Sequence, residues 1–253
     1  MEYSIESHGL TKAYNGRNVV DELCLRIERG TFYGFLGPNG AGKSTTIKML
    51  TGIIAPTSGS ARILGYDLKR NMLAIKKRIG VVPEEQCLFE NLTAPEYLTF
   101  IGRMYGLPRQ VALNRTRELI EVMGLDNAVD TLILEFSTGM KKRLSLCAAM
   151  IHDPEILFLD EPFEGVDAIA SRTIRTVLEQ ARKRGATIFL TSHILEVVER
   201  LCTHVSIIHE GKLLFQGALE GLAQGARLDE AFLNLVNNGK TAETGLSWLG
   251  AGN

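Results

Sequence analysis

The chain of 253 residues is 45% hydrophobic and 23% charged, with a formal net charge of -1, which is the composition of a globular protein with enough apolar material for a core. That balance excludes a global basic field for nucleic acid and an acidic, disordered chain. The length suits one large α/β unit with an inserted or appended lobe better than two independent domains.

Residues 5–36 read as strands, with Leu23, Leu25 and Ile27 alternating with polar neighbours as a half-buried strand would. Phe32–Leu36 is a short apolar run that ends in glycine-rich sequence. Thr45–Leu50 continues as a helix, closed by Gly52 and Pro56. Residues 60–83 predict a short strand, a basic helix around Ala74–Arg78 and a strand at Ile79–Val82. Thr93-Ala-Pro-Glu96 is a capping-box pattern with proline in the first turn. Its helix runs to about Tyr105, before Gly106 and Pro108. Val111–Met123 has helical apolar spacing and stops at Gly124, and another helix begins after Ser137. Residues 88–150 therefore read as a mostly helical lobe.

From Ile156 the alternation of strand and helix returns. Ile156–Leu159 is a buried strand, Ile174, Val177, Leu178 and Ala181 share a helix face, and Ile188–Leu190 is a strand. Ser192 is a candidate cap for the next helix, and a hairpin of Val205–His209 and Lys212–Phe215 turns at Glu210-Gly211. The tail from Lys240 is polar and glycine-containing and is expected to fray. Strands alternating with helices imply a mainly parallel sheet. Cys24, Cys87, Cys147 and Cys202 form no CxxC pair, which argues against zinc or a disulfide framework and for a reducing cytosol. No apolar run reaches the ~20 residues of a membrane span. The N-terminus has neither the basic start nor the apolar stretch of a secretory signal. Any service to a membrane is expected from outside the bilayer.

Gly37, Pro38, Asn39, Gly40, Ala41, Gly42, Lys43 and Ser44 match the phosphate-binding pattern GxxxxGK[ST], with a strand before and a helix from Thr45 after. Glycines let the backbone curl so that N–H groups and the positive helix end hold a β-phosphate. Lys43 can reach the β- and γ-phosphates, and the Ser44 hydroxyl is a natural Mg²⁺ ligand. Downstream, Ile156–Leu159 delivers Asp160 and Glu161. Phosphoryl transfer needs one acid for the metal and one for the attacking water, and this pair offers both. Alone, the pair could equally be a strand ending in a solvated acidic turn. Following a phosphate loop, the catalytic reading prevails.

Phe136-Ser-Thr-Gly139-Met-Lys-Lys-Arg-Leu144 resembles the signature motif of the ABC ATPases, with Ser137 and Gly139 at its key positions and Thr138 and Met140 departing from it. Gly165-Val166-Asp167 is similar to the D-loop, and Thr191-Ser192-His193 to the strand end that carries the switch histidine. Tyr14 stands where the family stacks an aromatic on adenine, although a strand aromatic in the core fits the position nearly as well. Glu84 takes the Q-loop position after Ile79–Pro83, where many members carry glutamine, and Gln86 is the other candidate. The Pro-Glu-Glu and Ser-x-Gly-Met sequences resemble the drug, antibiotic and polysaccharide exporter subgroup.

The resemblance covers about residues 5–220. It implies a P-loop NTPase fold with a mainly parallel RecA-like core sheet, an N-terminal antiparallel β subdomain and an inserted α-helical lobe at about 88–150. The ATP-binding domain would be 1–236, with a short frayed tail at 237–253. It implies ATP and Mg²⁺ as cofactors. Gly37 to Thr45, Tyr14, Ser137 and Gly139 would hold nucleotide. Ser44, Asp160 and Glu84 would hold metal, and Glu161, His193 and Lys43 would serve catalysis. It further implies a head-to-tail dimer, with each ATP between one phosphate loop and the other subunit's Ser137 and Gly139. That dimer, expected as a homodimer, would drive a separate membrane-spanning permease, with Leu88, Phe89 and Tyr97 as candidate contacts or as lobe packing. The chain would lie peripherally at the cytoplasmic face of the membrane, with no nucleic acid partner. The alternatives are a soluble ABC ATPase acting on nucleic acid or ribosomes, and a regulatory subunit of weak turnover. The first lacks its usual fused second domain, coiled-coil insertion or zinc cysteines. The second is opposed by Lys43, Asp160, Glu161 and His193.

Overall fold

Alternating apolar residues in the first part of the chain build an antiparallel sheet. The computed structural model describes residues 3–223 and 228–236, so the expected tail at 237–253 lies outside the described residues. Strand β1 (Tyr3–Tyr14) is paired along one edge by β2 (Arg17–Leu23) and β3 (Arg26–Glu28), and along the other by β5 (Ser58–Ile63), which β6 (Tyr66–Asp67) extends. Leu23, Leu25 and Ile27 are all buried as their alternation demands, yet they do not share one strand. Glu22 sits at φ 49 and pairing lapses before β3. Buried Ser7 bridges the gap: its hydroxyl donates to the Leu23 carbonyl and accepts the Leu25 N–H, each at 2.9 Å. Buried backbone groups must be satisfied somewhere, and here a side chain does it.

The second sheet has the order β11–β10–β4–β9–β8–β7. Strands β4 (Phe32–Leu36), β7 (Ile79–Val82), β8 (Ile156–Asp160), β9 (Thr187–Ser192) and β10 (His204–His209) run parallel. Only the edge strand β11 (Lys212–Ala218), returning through the Glu210-Gly211 turn, is antiparallel. The parallel strands are mostly apolar and largely buried because both faces are covered. In β8, Leu157 and Leu159 face one core while Ile156 and Phe158 face the other. The first core lies under helices α5 (Thr138–Met150), α6 (Ala168–Lys183) and α7 (Leu195–Leu201), and the second holds α1 (Lys43–Leu50), α2 (Met72–Lys76) and the antiparallel sheet.

Between β7 and β8 the chain is helical, with α3 (Ala94–Met104) and α4 (Arg109–Val122) preceding α5, and α8 (Leu219–Ala223) and α9 (Leu228–Val236) follow β11. The capping pattern at Thr93 forms: Glu96 accepts the Thr93 N–H and hydroxyl, each at 2.9 Å, and these bonds hold its carboxyl below the usual range. Ser192 does not cap α7. It ends β9, and its Oγ accepts the Ile194 N–H at 2.9 Å in a tight turn that puts the helix start two residues later. Among the described residues no helix is long and apolar enough to cross a membrane.

Candidate functional site

The C-terminal ends of parallel strands are where an α/β sheet offers a crevice, and four of them meet here. At the end of β4 the chain curls through Gly37–Gly42 into α1. The curl requires glycine at Gly42, which has φ 109 and where a Cβ would stand 2.7 Å from the Val19 carbonyl. Lys43, only 6% exposed, folds back over the loop and donates to the carbonyls of Gly37 (2.8 Å) and Pro38 (3.4 Å). Its Nζ also lies 3.6 Å from Glu161 Oε1.

A cavity of about 270 Å³ opens over this loop. Asn39, Gly40, Gly42, Lys43, Ser44 and Thr45 line it together with Val19, Glu84, Glu161, Glu164 and His193. The Ser44 hydroxyl donates to Glu84 Oε2 at 3.1 Å. Gln86 instead turns its amide onto the carbonyls of Pro83 and Glu84 (2.8 and 3.2 Å), inside its own turn. Of the two candidates, Glu84 is therefore the one that reaches the Gly37–Ser44 loop.

The two acids at the end of β8 are held differently. Asp160 is buried, and Thr191 Oγ1 donates to its Oδ1 at 2.6 Å. Burial lifts the Asp160 carboxyl above the usual carboxylate range, Glu84 and Glu161 add to the lift, and the Thr191 and Ser44 hydroxyls oppose it. Glu161 has φ 48, a left-handed backbone that costs an L-residue about 1–2 kcal/mol. Its N–H donates to Thr191 Oγ1 at 3.0 Å and its carbonyl accepts from Lys142 Nζ at 2.7 Å. Its Oε2 is 3.1 Å from His193 Nδ1 and accepts the His193 N–H at 3.3 Å. Its Oε1 is buried with no hydrogen-bond donor among the described residues. One Glu161 oxygen is thus fixed to His193, and the other is buried beside Lys43 without a hydrogen bond among the described residues.

Ser44, Glu84 and Asp160 present a hydroxyl and two carboxylates, the oxygen donors that suit a hard divalent cation. Among the described residues no group of three or more His, Cys, Asp or Glu stands ready to hold a metal alone. A set this small fits Mg²⁺, which is usually bound by one or two carboxylates together with substrate phosphates.

Tyr14, Ser137 and Gly139 do not line this cavity. Tyr14 is 46% exposed, with the Lys12 ammonium 5.0 Å over its ring, so it is not a core aromatic. Ser137 caps α5 by accepting the Met140 N–H at 3.3 Å. Gly139 faces the turn at Gly165, and Asp167 caps α6 through the Ile169 and Ala170 amides. Phe89 is 54% exposed and joins Tyr97 (centroids 5.9 Å apart) and Phe100 (5.6 Å), while Tyr97 is buried and Leu88 packs on the core. Sequence reasoning missed Thr191 as a holder of both acids, Lys142, Glu164 and Val19. For Thr191 the signal was a hydroxyl that ends the apolar run Ile188–Leu190. For Lys142 it was a lysine four residues before Leu146 on the buried face of its helix.

A family model described as "ABC transporter" matches residues 20–164. The chain is 43% identical over 215 residues to the bacitracin transport ATP-binding protein BcrA of Bacillus licheniformis, covering 85% of this chain and 69% of that one. It is 38% identical over 213 residues to the linearmycin resistance ATP-binding protein LnrL of Bacillus subtilis (strain 168), covering 84% and 68%. A solved structure of the ATP-binding subunit of an ABC transporter superposes with a TM-score of 0.85 at 31% identity, covering 91% of this chain and 98% of that one.

Proposed function

The chain belongs to the ABC transporter family as its ATP-binding, ATP-hydrolysing unit, and we propose that it powers an exporter of antibiotic-like compounds from the cytoplasmic face of a membrane. The observation that carries the reading is the convergence of Lys43, Ser44, Glu84, Glu161 and His193 on one cavity, with Asp160 beneath it. The loop amides and Lys43 bind the phosphates. Ser44, Asp160 and Glu84 would hold Mg²⁺, which would supply positive charge against that developing on the phosphoryl oxygens. Glu161 orients the attacking water with its unpartnered oxygen and takes up its proton, while His193 fixes the other oxygen.

Ser137 and Gly139 sit apart from their own phosphate loop, which supports their use by a second copy of the chain. In that head-to-tail pair they would close over the partner's nucleotide, with the positive end of α5 facing its γ-phosphate. The exposed ring of Phe89 on the helical lobe supports docking of a membrane-spanning subunit there.

The test is turnover and assembly of purified variants. Lys43→Ala is expected to abolish hydrolysis. Glu161→Gln is expected to bind ATP, lose hydrolysis and dimerise in ATP and Mg²⁺ by light scattering. Hydrolysis at the normal rate by Glu161→Gln would remove Glu161 as the base. Detergent-solubilised membranes should yield a multi-span protein with the tagged chain, and a wholly soluble pool would end the transporter reading.

A further inference from the structure

The acid Glu161 is held by its main chain as well as its side chain, and one of the holders comes from the helix that carries the signature motif. Lys142 lies on α5, five residues after Ser137, and is 6% exposed. Its Nζ donates to the Glu161 carbonyl at 2.7 Å. Burial pulls its ammonium below the ordinary lysine range, and Glu164, Glu161, Glu84 and Asp160 oppose that pull, in falling order. A buried lysine spends desolvation free energy unless it meets such partners. Here the acceptor of its hydrogen bond is a carbonyl rather than a carboxylate, so its bond fixes a backbone, not a charge.

That backbone is the one in the left-handed conformation, with φ 48. The Glu161 peptide is gripped on its N–H by Thr191 and on its carbonyl by Lys142. Two bonds on opposite sides of one Cα define where the carboxylate points. We propose that Lys142 is a positioning residue for Glu161, acting from the signature helix so that the seating of α5 sets the aim of the acid. The inference rests on Glu161 being the general base. It gives the signature segment a second task besides nucleotide contact. Ser137 and Gly139 start the helix whose second turn holds the acid of the chain's own phosphate-loop site. A nucleotide on the signature of one site therefore bears, through α5, on the hydrolytic group of the other.

The experiment is a double-mutant cycle on the full chain, using Lys142→Met, Lys142→Arg, Glu161→Gln and the Lys142→Met, Glu161→Gln pair, with ATP and Mg²⁺. Lys142→Met is expected to lower kcat about ten- to a hundredfold, the scale of one charge-assisted hydrogen bond, with KM for ATP changed less than about threefold, as for an interaction felt mainly in the transition state. Lys142→Arg should recover most of the loss, because guanidinium also donates to a carbonyl. In the Glu161→Gln background, Lys142→Met should lower the residual rate no further, because effects acting through one group are not additive. ATP-dependent dimerisation of that double variant should match Glu161→Gln alone, a readout that a misfolded helix would lose. Full turnover in Lys142→Met while Glu161→Gln is inactive would overturn the positioning role and leave the base assignment standing. Full turnover in Glu161→Gln would remove the assignment itself. A multiplicative loss in the double variant would also overturn the proposal, since Lys142 would then act elsewhere.

Discussion

Thr191→Val tests how the two acids at the end of β8 are held. Valine keeps the shape of threonine and removes only the hydroxyl, so no cavity opens in a site that is 0% exposed. Two hydrogen bonds go together: the 2.6 Å bond to Asp160 Oδ1 and the 3.0 Å bond from the Glu161 N–H. A hydrogen bond to a charged group is worth about 1.5–3 kcal/mol, and an orphaned buried N–H costs about 1–3 kcal/mol. Asp160 can take up a proton in place of the lost donor, which limits the first loss. The net destabilisation is then about 2–4 kcal/mol. For a chain of this size that lowers Tm by on the order of 5–10 °C. The assay is thermal unfolding without nucleotide, with ATP turnover measured beside it. Thr191→Ser keeps the hydroxyl and should recover most of the stability and the rate. The reasoning is refuted if Thr191→Val melts within about 2 °C of the natural chain, a shift under about 1 kcal/mol, and hydrolyses ATP as fast.

Two further outcomes are expected. His152, stacked on Tyr105 at 3.6 Å, is pushed down to about 4, chiefly by burial, with Arg115 adding to the fall and the Ile79 carbonyl and Asp153 opposing it. The unfolded chain binds this proton near 6.5 and the folded chain does not until about 4, so the contribution is present above 6.5 and lost as pH falls toward 4. The difference in urea midpoint between the natural chain and His152→Gln should therefore shift between those pH values, and a constant difference would remove His152 as the cause. Gly42→Ala places a Cβ 2.7 Å from the Val19 carbonyl at φ 109, and such strain costs on the order of 1–3 kcal/mol. Binding of a fluorescent ATP analogue should fall at least tenfold, and natural affinity would show that the loop does not need the glycine.

Much of this was legible because it is local. The strand–loop–helix at Gly37–Leu50, the cap at Thr93 and the buried run into Asp160 each depend on neighbours a few positions away, and each stands where the residues indicated. The run Leu23, Leu25, Ile27 shows where local reading slips. Burial alternated as a strand requires, but the pairing is interrupted at Glu22, and the device that allows it, the Ser7 hydroxyl, belongs to another strand. Ser192 looked like a cap because serine before a helix is often one. Its hydroxyl is used in a turn that starts the helix later.

What escaped the sequence is what holds the two carboxylates at the end of β8. Thr191 lies 31 positions from Asp160 and Lys142 lies 19 from Glu161, and neither residue type announces a role at such distance. They become partners only because β8 and β9 run side by side and α5 brings Lys142 to the same strand end. The acids themselves can be found from a short motif, since the chemistry requires their types. Their supports can be any donor that the fold delivers, so a motif does not specify them. The same logic explains Glu84: a carboxylate at that position adds charge beside Asp160 and Glu161, and the site tolerates it because Lys43 and Lys142 approach the cluster from two different elements.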